Sequence, residues 1–107
     1  MTNQQELTLI AQLHAKPGHE EELGRRLLQL VEPSRKEAGC INYDVHRSND
    51  EPAVWVMYEN WQSKADLDAH FEQPYLVEFV KDCAGLLAKD MDIKFLSMHS
   101  PHVAPKR

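Results

Sequence analysis

From Leu7 to Ala15 the chain alternates, with Leu7, Leu9, Ala11 and Leu13 on one side and Thr8, Ile10, Gln12 and His14 on the other. This two-residue period predicts a strand with one strongly apolar face. Lys16-Pro17-Gly18 then turns the chain, and the spacing changes to that of a helix over His19 to Ala38, with Leu23, Leu27, Leu30 and Val31 on one stripe. Glu20, Glu21 and Glu22 complement the positive end of the helix dipole, and Arg35 and Lys36 the negative end. Pro33 lacks a backbone donor and is expected to kink or loosen the last turns, while Gly39 suits the exit. Alternation returns over Ile41 to Arg47, with Ile41, Tyr43 and Val45 opposite Asn42, Asp44 and His46. After the turn-forming stretch Ser48 to Pro52, the β-branched and aromatic run Ala53 to Trp61 predicts the second arm of a hairpin.

Ser63-Lys64-Ala65-Asp66 fits a capping box, which starts a helix near Lys64 and puts Leu67, His70, Phe71 and Pro74 on one face. Pro74 suits the first position of a further helix, whose stripe is Leu76, Phe79, Val80, Cys83 and Leu87. Met91 to Met98 is the last predicted strand. The order is βαββαβ with the second helix in two pieces, the α+β, ferredoxin-like split βαβ plan: an antiparallel four-stranded sheet with helices on one face. One domain is expected over residues 1–100, followed by a loose tail over 101–107 that holds Pro101, His102 and Pro105. Ile10, Val54, Val56, Leu96 and Met98 fall on the alternate face of their strands, so the uncovered sheet face is expected to meet a second copy.

Composition narrows the function. At 107 residues there is room for one core, and a net charge of −5 gives no basic footprint for nucleic acid or anionic lipid. No apolar run approaches the ~20 residues that span a bilayer, and the polar start of the chain lacks a signal pattern, so a cytoplasmic protein is expected. Cys40 and Cys83 lack metal or redox spacing and are expected to be reduced thiols; six histidines show no metal-binding spacing on one element. Phosphate-loop, nucleotide-fold and nucleophile-elbow motifs are absent.

The chemistry concentrates in Tyr58-Glu59-Asn60-Trp61 and the helix that follows. Glu59 and Trp61 share a strand face just upstream of His70, and Asp66 lies one turn before the imidazole as a carboxylate able to orient it. His70 has an ordinary reading as a core histidine, Trp61 as a large core side chain and Glu59 as a strand-end carboxylate. Their coincidence at one strand-to-helix junction is what raises the functional reading.

The ordered set Ala15-Lys16-Pro17-Gly18, Ser34 to Cys40, Tyr43, Glu59-x-Trp61, Leu67-x-x-His70 and Pro74 resembles the antibiotic-biosynthesis monooxygenase (ABM) domain of the dimeric α+β barrel superfamily, over Leu7 to Met98. The resemblance implies a homodimer with facing sheets and a pocket in each protomer between sheet and helices. It also implies oxidation of a small quinol or polyphenol by O2 with no metal, flavin or other cofactor. On it, His70 becomes the base or hydrogen-bond partner of a substrate hydroxyl and Trp61 a pocket wall and N–H donor. Glu59, Tyr58, Tyr43, Phe71 and Tyr75 become pocket residues. Haem-degrading relatives use an Asn on the first strand, whereas this strand offers only Gln12. Many relatives place a second His after the proline where this chain has Tyr75. The fold also hosts isomerases or lyases of small hydroxy-carbonyl compounds, and non-catalytic dimers that bind a hydrophobic metabolite; both stay open here.

Overall fold

The computed structural model describes residues 6–100; the expected C-terminal tail, with Pro101, His102 and Pro105, lies outside the described residues, as do residues 1–5. The elements are β1 (Leu7–His14), α1 (Glu20–Leu28), α2 (Val31–Arg35), β2 (Cys40–Arg47), β3 (Val54–Trp61), α3 (Lys64–Phe71), α4 (Pro74–Cys83) and β4 (Asp92–Leu96). The strands form one antiparallel sheet in the order β2-β3-β1-β4, and the helices cover one face, which is the ferredoxin-like α+β fold.

Registry fixes the two faces. Leu9 pairs with Glu59, Ala11 with Met57 and Leu13 with Trp55, and Tyr43 also pairs with Glu59, so these side chains all point toward the helices. They meet Leu23 and Leu27 of α1, Leu67 of α3, and Leu76, Phe79 and Cys83 of α4 in one core. Alpha1 is pinned to β3 at Trp55: its Nε1 donates to Glu20 O at 3.1 Å, and the Arg47 guanidinium lies 4.7 Å from the ring centroid. Gly24 lets the helix backbone come against that ring, since a Cβ there would overlap it. A second close approach joins the Gly39 turn to α3. A Cβ at Gly39 would overlap the Asp66 side chain, and Gln62 N–H donates to Gly39 O at 2.8 Å.

Three expectations are corrected. The single helix over 19–38 is two helices broken at Gln29 and Leu30, upstream of Pro33. The proline has no N–H to give the Gln29 carbonyl and its ring crowds that group, so the chain tightens there, with Leu30 N–H bonded to Leu27 O at 3.0 Å. Ile41 does not join Tyr43 and Val45. A register shift between Cys40 and Asn42 leaves it without a strand partner, and it is exposed. The last strand is shorter than Met91 to Met98. The chain already meets the end of β1 through Ala88 N–H to His14 O (2.7 Å) and the Ala15–Leu87 bridge, then loops out before pairing again at Asp92.

The helix-free face is mixed rather than apolar. Ile10 and Val56 are half-buried and Tyr58 and Leu96 exposed, beside a hydrogen-bonded row of Thr8, Asn60, Asn42 and Asp44. Ser63 caps α3 by accepting from Asp66 N–H at 3.2 Å, and its hydroxyl donates to Asp66 Oδ2 at 2.9 Å.

Candidate active site

Between the sheet and the helices lies a cavity of about 270 Å³. Leu9, Ala11, Leu13 and Met57 form its floor, Leu27, Leu76 and Phe79 its helical wall, and Phe71, Val80 and Ile93 stand at its sides. Among its lining residues only Tyr43, Glu59 and His70 bring polar groups. An apolar chamber with a few convergent polar groups is the usual form of a small-molecule site.

Each polar group arrives by simple local rules. Strand alternation turns Glu59 and Trp61 inward together, and the Trp61 Nε1–H donates to Glu59 Oε1 at 3.0 Å. The Ser63 cap sets the phase of α3 so that Leu67 and His70, three residues apart, both point inward. His70 is 1% exposed, with the Trp61 ring 4.5 Å away between centroids and the Tyr43 ring 5.4 Å away edge-on. Its Nδ1 lies 2.8 Å from Glu37 Oε2, in the turn between α2 and β2. The Tyr75 hydroxyl donates to the same Oε2. With Nδ1 engaged, Nε2 is the ring nitrogen left for a bound molecule.

Burial shifts these groups in opposite senses. The His70 pKa is lowered because desolvation of the imidazolium outweighs the hydrogen bond and charge of Glu37. Glu59 is pushed up to about 7, first by burial and then by the charge on Glu37, against the stabilising Trp61 N–H. Burial foremost raises Tyr43, aided by the Glu59 charge; burial and then the hydrogen bond to Glu37 raise Tyr75. Cys40 rises to about 11, again chiefly by burial, and so stays a thiol. Near neutral pH the chamber therefore holds a neutral imidazole, a carboxyl close to its midpoint and the protonated phenol of Tyr43.

The residues singled out from sequence do not all share the chamber. His70, Glu59, Tyr43 and Phe71 line it. Trp61 is fully buried behind Glu59 and His70, and its N–H goes to Glu59. Tyr75 lines a neighbouring hollow with Arg26 and Glu78, and only its hydroxyl reaches toward the site, at Glu37. Tyr58 is placed on the opposite sheet face, because it lies between the inward-facing Met57 and Glu59 and pairs with Ile10. The orienting carboxylate is also corrected. Asp66 is occupied by Ser63, and the imidazole is met by Glu37, which lies 33 residues away in the chain. In the sequence Glu37 falls within the Ser34 to Cys40 segment of the resemblance, just ahead of the Ala38-Gly39 turn, but nothing there points to His70. Among the described residues no three His, Cys, Asp or Glu side chains are grouped to hold a metal ion, and no helix is long and apolar enough to cross a membrane.

Residues 7–82 match the family described as antibiotic biosynthesis monooxygenase. The Synechocystis protein sll1783 is 36% identical over 88 residues; the match spans 82% of this chain but only 60% of that relative. The Escherichia coli protein named "Probable quinol monooxygenase YgiN" is 29% identical over 100 residues, covering 84% of this chain and 95% of its own. The crystal structure of PA3566 from Pseudomonas aeruginosa superimposes with a TM-score of 0.87 at 36% identity, covering 94% of this chain and all of that one. By its matched residues, and with the fold of its solved relatives, the chain belongs to the antibiotic biosynthesis monooxygenase family.

Proposed function

We propose that this protein is a cofactor-independent monooxygenase that oxidises a small quinol or polyphenol with O2. The observation that carries the reading is a buried imidazole, bonded through Nδ1 to Glu37 and lining an apolar chamber beside the buried Glu59 carboxyl; burial lowers the His70 pKa and raises that of Glu59. His70 Nε2 takes the proton of a substrate hydroxyl, leaving an electron-rich phenolate in a dry site. The phenolate gives an electron to O2, and the resulting superoxide and substrate radical join at a ring carbon. Loss of the hydrogen on that carbon and cleavage of the O–O bond leave a carbonyl and release the second oxygen as water. One C–H becomes one C=O, so the substrate supplies all four electrons that O2 takes. Glu59, when protonated, donates a hydrogen bond to oxygen atoms that gain charge along this course. The relative named for quinol monooxygenase activity supports the substrate class.

The helix-free sheet face is read in the same proposal as the contact between two copies of the chain, with Ile10, Val56, Tyr58 and Leu96 at its centre.

O2 consumption by metal-stripped wild type and by His70→Ala, across quinols, catechols and polycyclic phenols and corrected for autoxidation, tests the activity. Uptake by wild type that falls about 100-fold or more in the variant is expected for loss of a general base. Uptake indifferent to the substitution, or none on any substrate, overturns the oxygenase. Binding of a phenol without turnover would then favour a binding protein.

A further inference from the structure

We infer that Glu37 and Tyr75 are positioning residues that set the tautomer and basicity of His70, with the Tyr75 hydroxyl acting on the imidazole through the carboxylate. The inference rests on His70 as the base in the chamber. Glu37 Oε2 accepts from two donors at once, His70 Nδ1 at 2.8 Å and the Tyr75 hydroxyl. The three side chains come from three separate segments: the turn after α2, α3 and α4. Among the described residues Glu37 has no lysine or arginine partner, so these two donors answer its charge. Its side chain is 13% exposed, which leaves little room for water to do so instead.

The consequences for the imidazole follow from hydrogen-bond chemistry. A carboxylate is only an acceptor, so its partner Nδ1 carries the proton and Nε2 keeps its lone pair; the neutral ring is held in the tautomer that can take a proton from the chamber. The charge on Glu37 also favours the imidazolium, against the burial that disfavours it. The phenol moderates that effect. A hydrogen bond donated into Oε2 withdraws electron density from the oxygen that meets Nδ1, so Tyr75 lowers the basicity that Glu37 confers. Of the other titratable groups nearby, Tyr43 from β2 lies 5.4 Å from the imidazole between ring centroids and lines the same chamber as Glu59 from β3, Cys40 from β2 interacts with Glu37 and Tyr75, and Asp66, one turn earlier on α3, is held by Ser63. Tyr43 and Cys40 are neutral near pH 7, which leaves Glu37 as the one carboxylate bonded to the ring.

The test needs no substrate, so it fails or succeeds separately from the oxygenase reading. Protein labelled with 15N in its histidines is titrated by NMR as wild type, Glu37→Gln and Tyr75→Phe, with the His70 signals assigned by their loss in His70→Gln. In wild type the neutral ring is expected to show a protonated Nδ1 and a bare Nε2. The two substitutions are expected to move the His70 pKa in opposite directions: down in Glu37→Gln, which removes the charge, and up by about half a unit in Tyr75→Phe, which removes only the hydroxyl. Shifts in the same direction, no shift in either, or an Nε2-protonated wild-type ring would overturn the inference. Should Glu37→Gln fail to fold, Tyr75→Phe decides alone, and anything but a rise counts against it. A residue that only packed would leave both titrations where they are.

Discussion

Glu59 accepts one hydrogen bond, from Trp61, while 4% exposed, so much of the desolvation cost of its charged form is uncompensated. Its carboxyl is pushed up from 4.5 to about 7. Between those values the folded protein holds a proton that the unfolded chain releases. The stability this group contributes is thus fully present below pH 4.5 and is lost as pH rises through 7, by on the order of 3 kcal/mol. His70 acts in the other sense: with its folded pKa below 6.5, its contribution is present above 6.5 and is lost as pH falls through the folded value. Replacing Glu59 by Gln isolates the first effect. Urea unfolding at pH 5 and pH 8 is expected to show wild type losing stability relative to Glu59→Gln at the higher pH, and an unchanged difference would count against a buried carboxyl that titrates near 7. The chamber's own strand and helix residues were legible because the rules that place them are local. Two-residue alternation pairs Glu59 with Trp61, and a capped helix puts His70 beside Leu67. Glu37 was not legible, since its contact with His70 forms only when the turn after α2 packs on α3. The resemblance offers both Tyr43 and Tyr58 as pocket residues, and only strand register, which one sequence does not give, separates them: Tyr43 pairs with Glu59 and faces the helices, and Tyr58 pairs with Ile10 on the other face.

At the scale of elements, α1 depends on a helix position with no side chain. Alanine is the better helix former by about 1 kcal/mol, so propensity alone would have Gly24→Ala stabilise α1. The Trp55 ring occupies the space where the methyl would go, and that ring is held by Glu20 O and stacked under Arg47. Gly24→Ala is therefore expected to destabilise the protein by roughly 1–3 kcal/mol in thermal or urea unfolding, as overpacking does. A stabilised variant would mean that the ring moves freely. Element order and type could be read from periodicity, and α3 starts at Lys64 as its capping residues indicate. Boundaries were less legible where a break is set at a distance. Pro33 acts on the carbonyl four residues earlier, and the start of β4 depends on where the chain after α4 first touches β1.

At the scale of the whole molecule, the described residues leave one face of the sheet bare, with apolar Ile10, Val56 and Leu96 next to the polar row from Thr8 to Asp44. A stable pairing of two such faces needs roughly 800 Å² from each partner. Sedimentation of the wild type is expected at about twice the 12.4 kDa of one chain, and the double substitution Ile10→Lys, Val56→Lys is expected to sediment at the single-chain mass. A monomeric wild type would remove the second copy from the proposal. The helix side of the molecule holds its own lesson in the turn between α2 and β2. Gly39 lies against Asp66 at the start of α3 and takes the Gln62 N–H, while Glu37, two residues before it, grips His70 in the last turn of the same helix. One short turn thus clamps α3 at both ends. The imidazole can neither slide along the helix axis nor turn about it without breaking a contact there. Its freedom has been surrendered during folding, so on the proposed function a substrate entering the chamber would meet an already ordered imidazole, and little of the binding energy would go into ordering it.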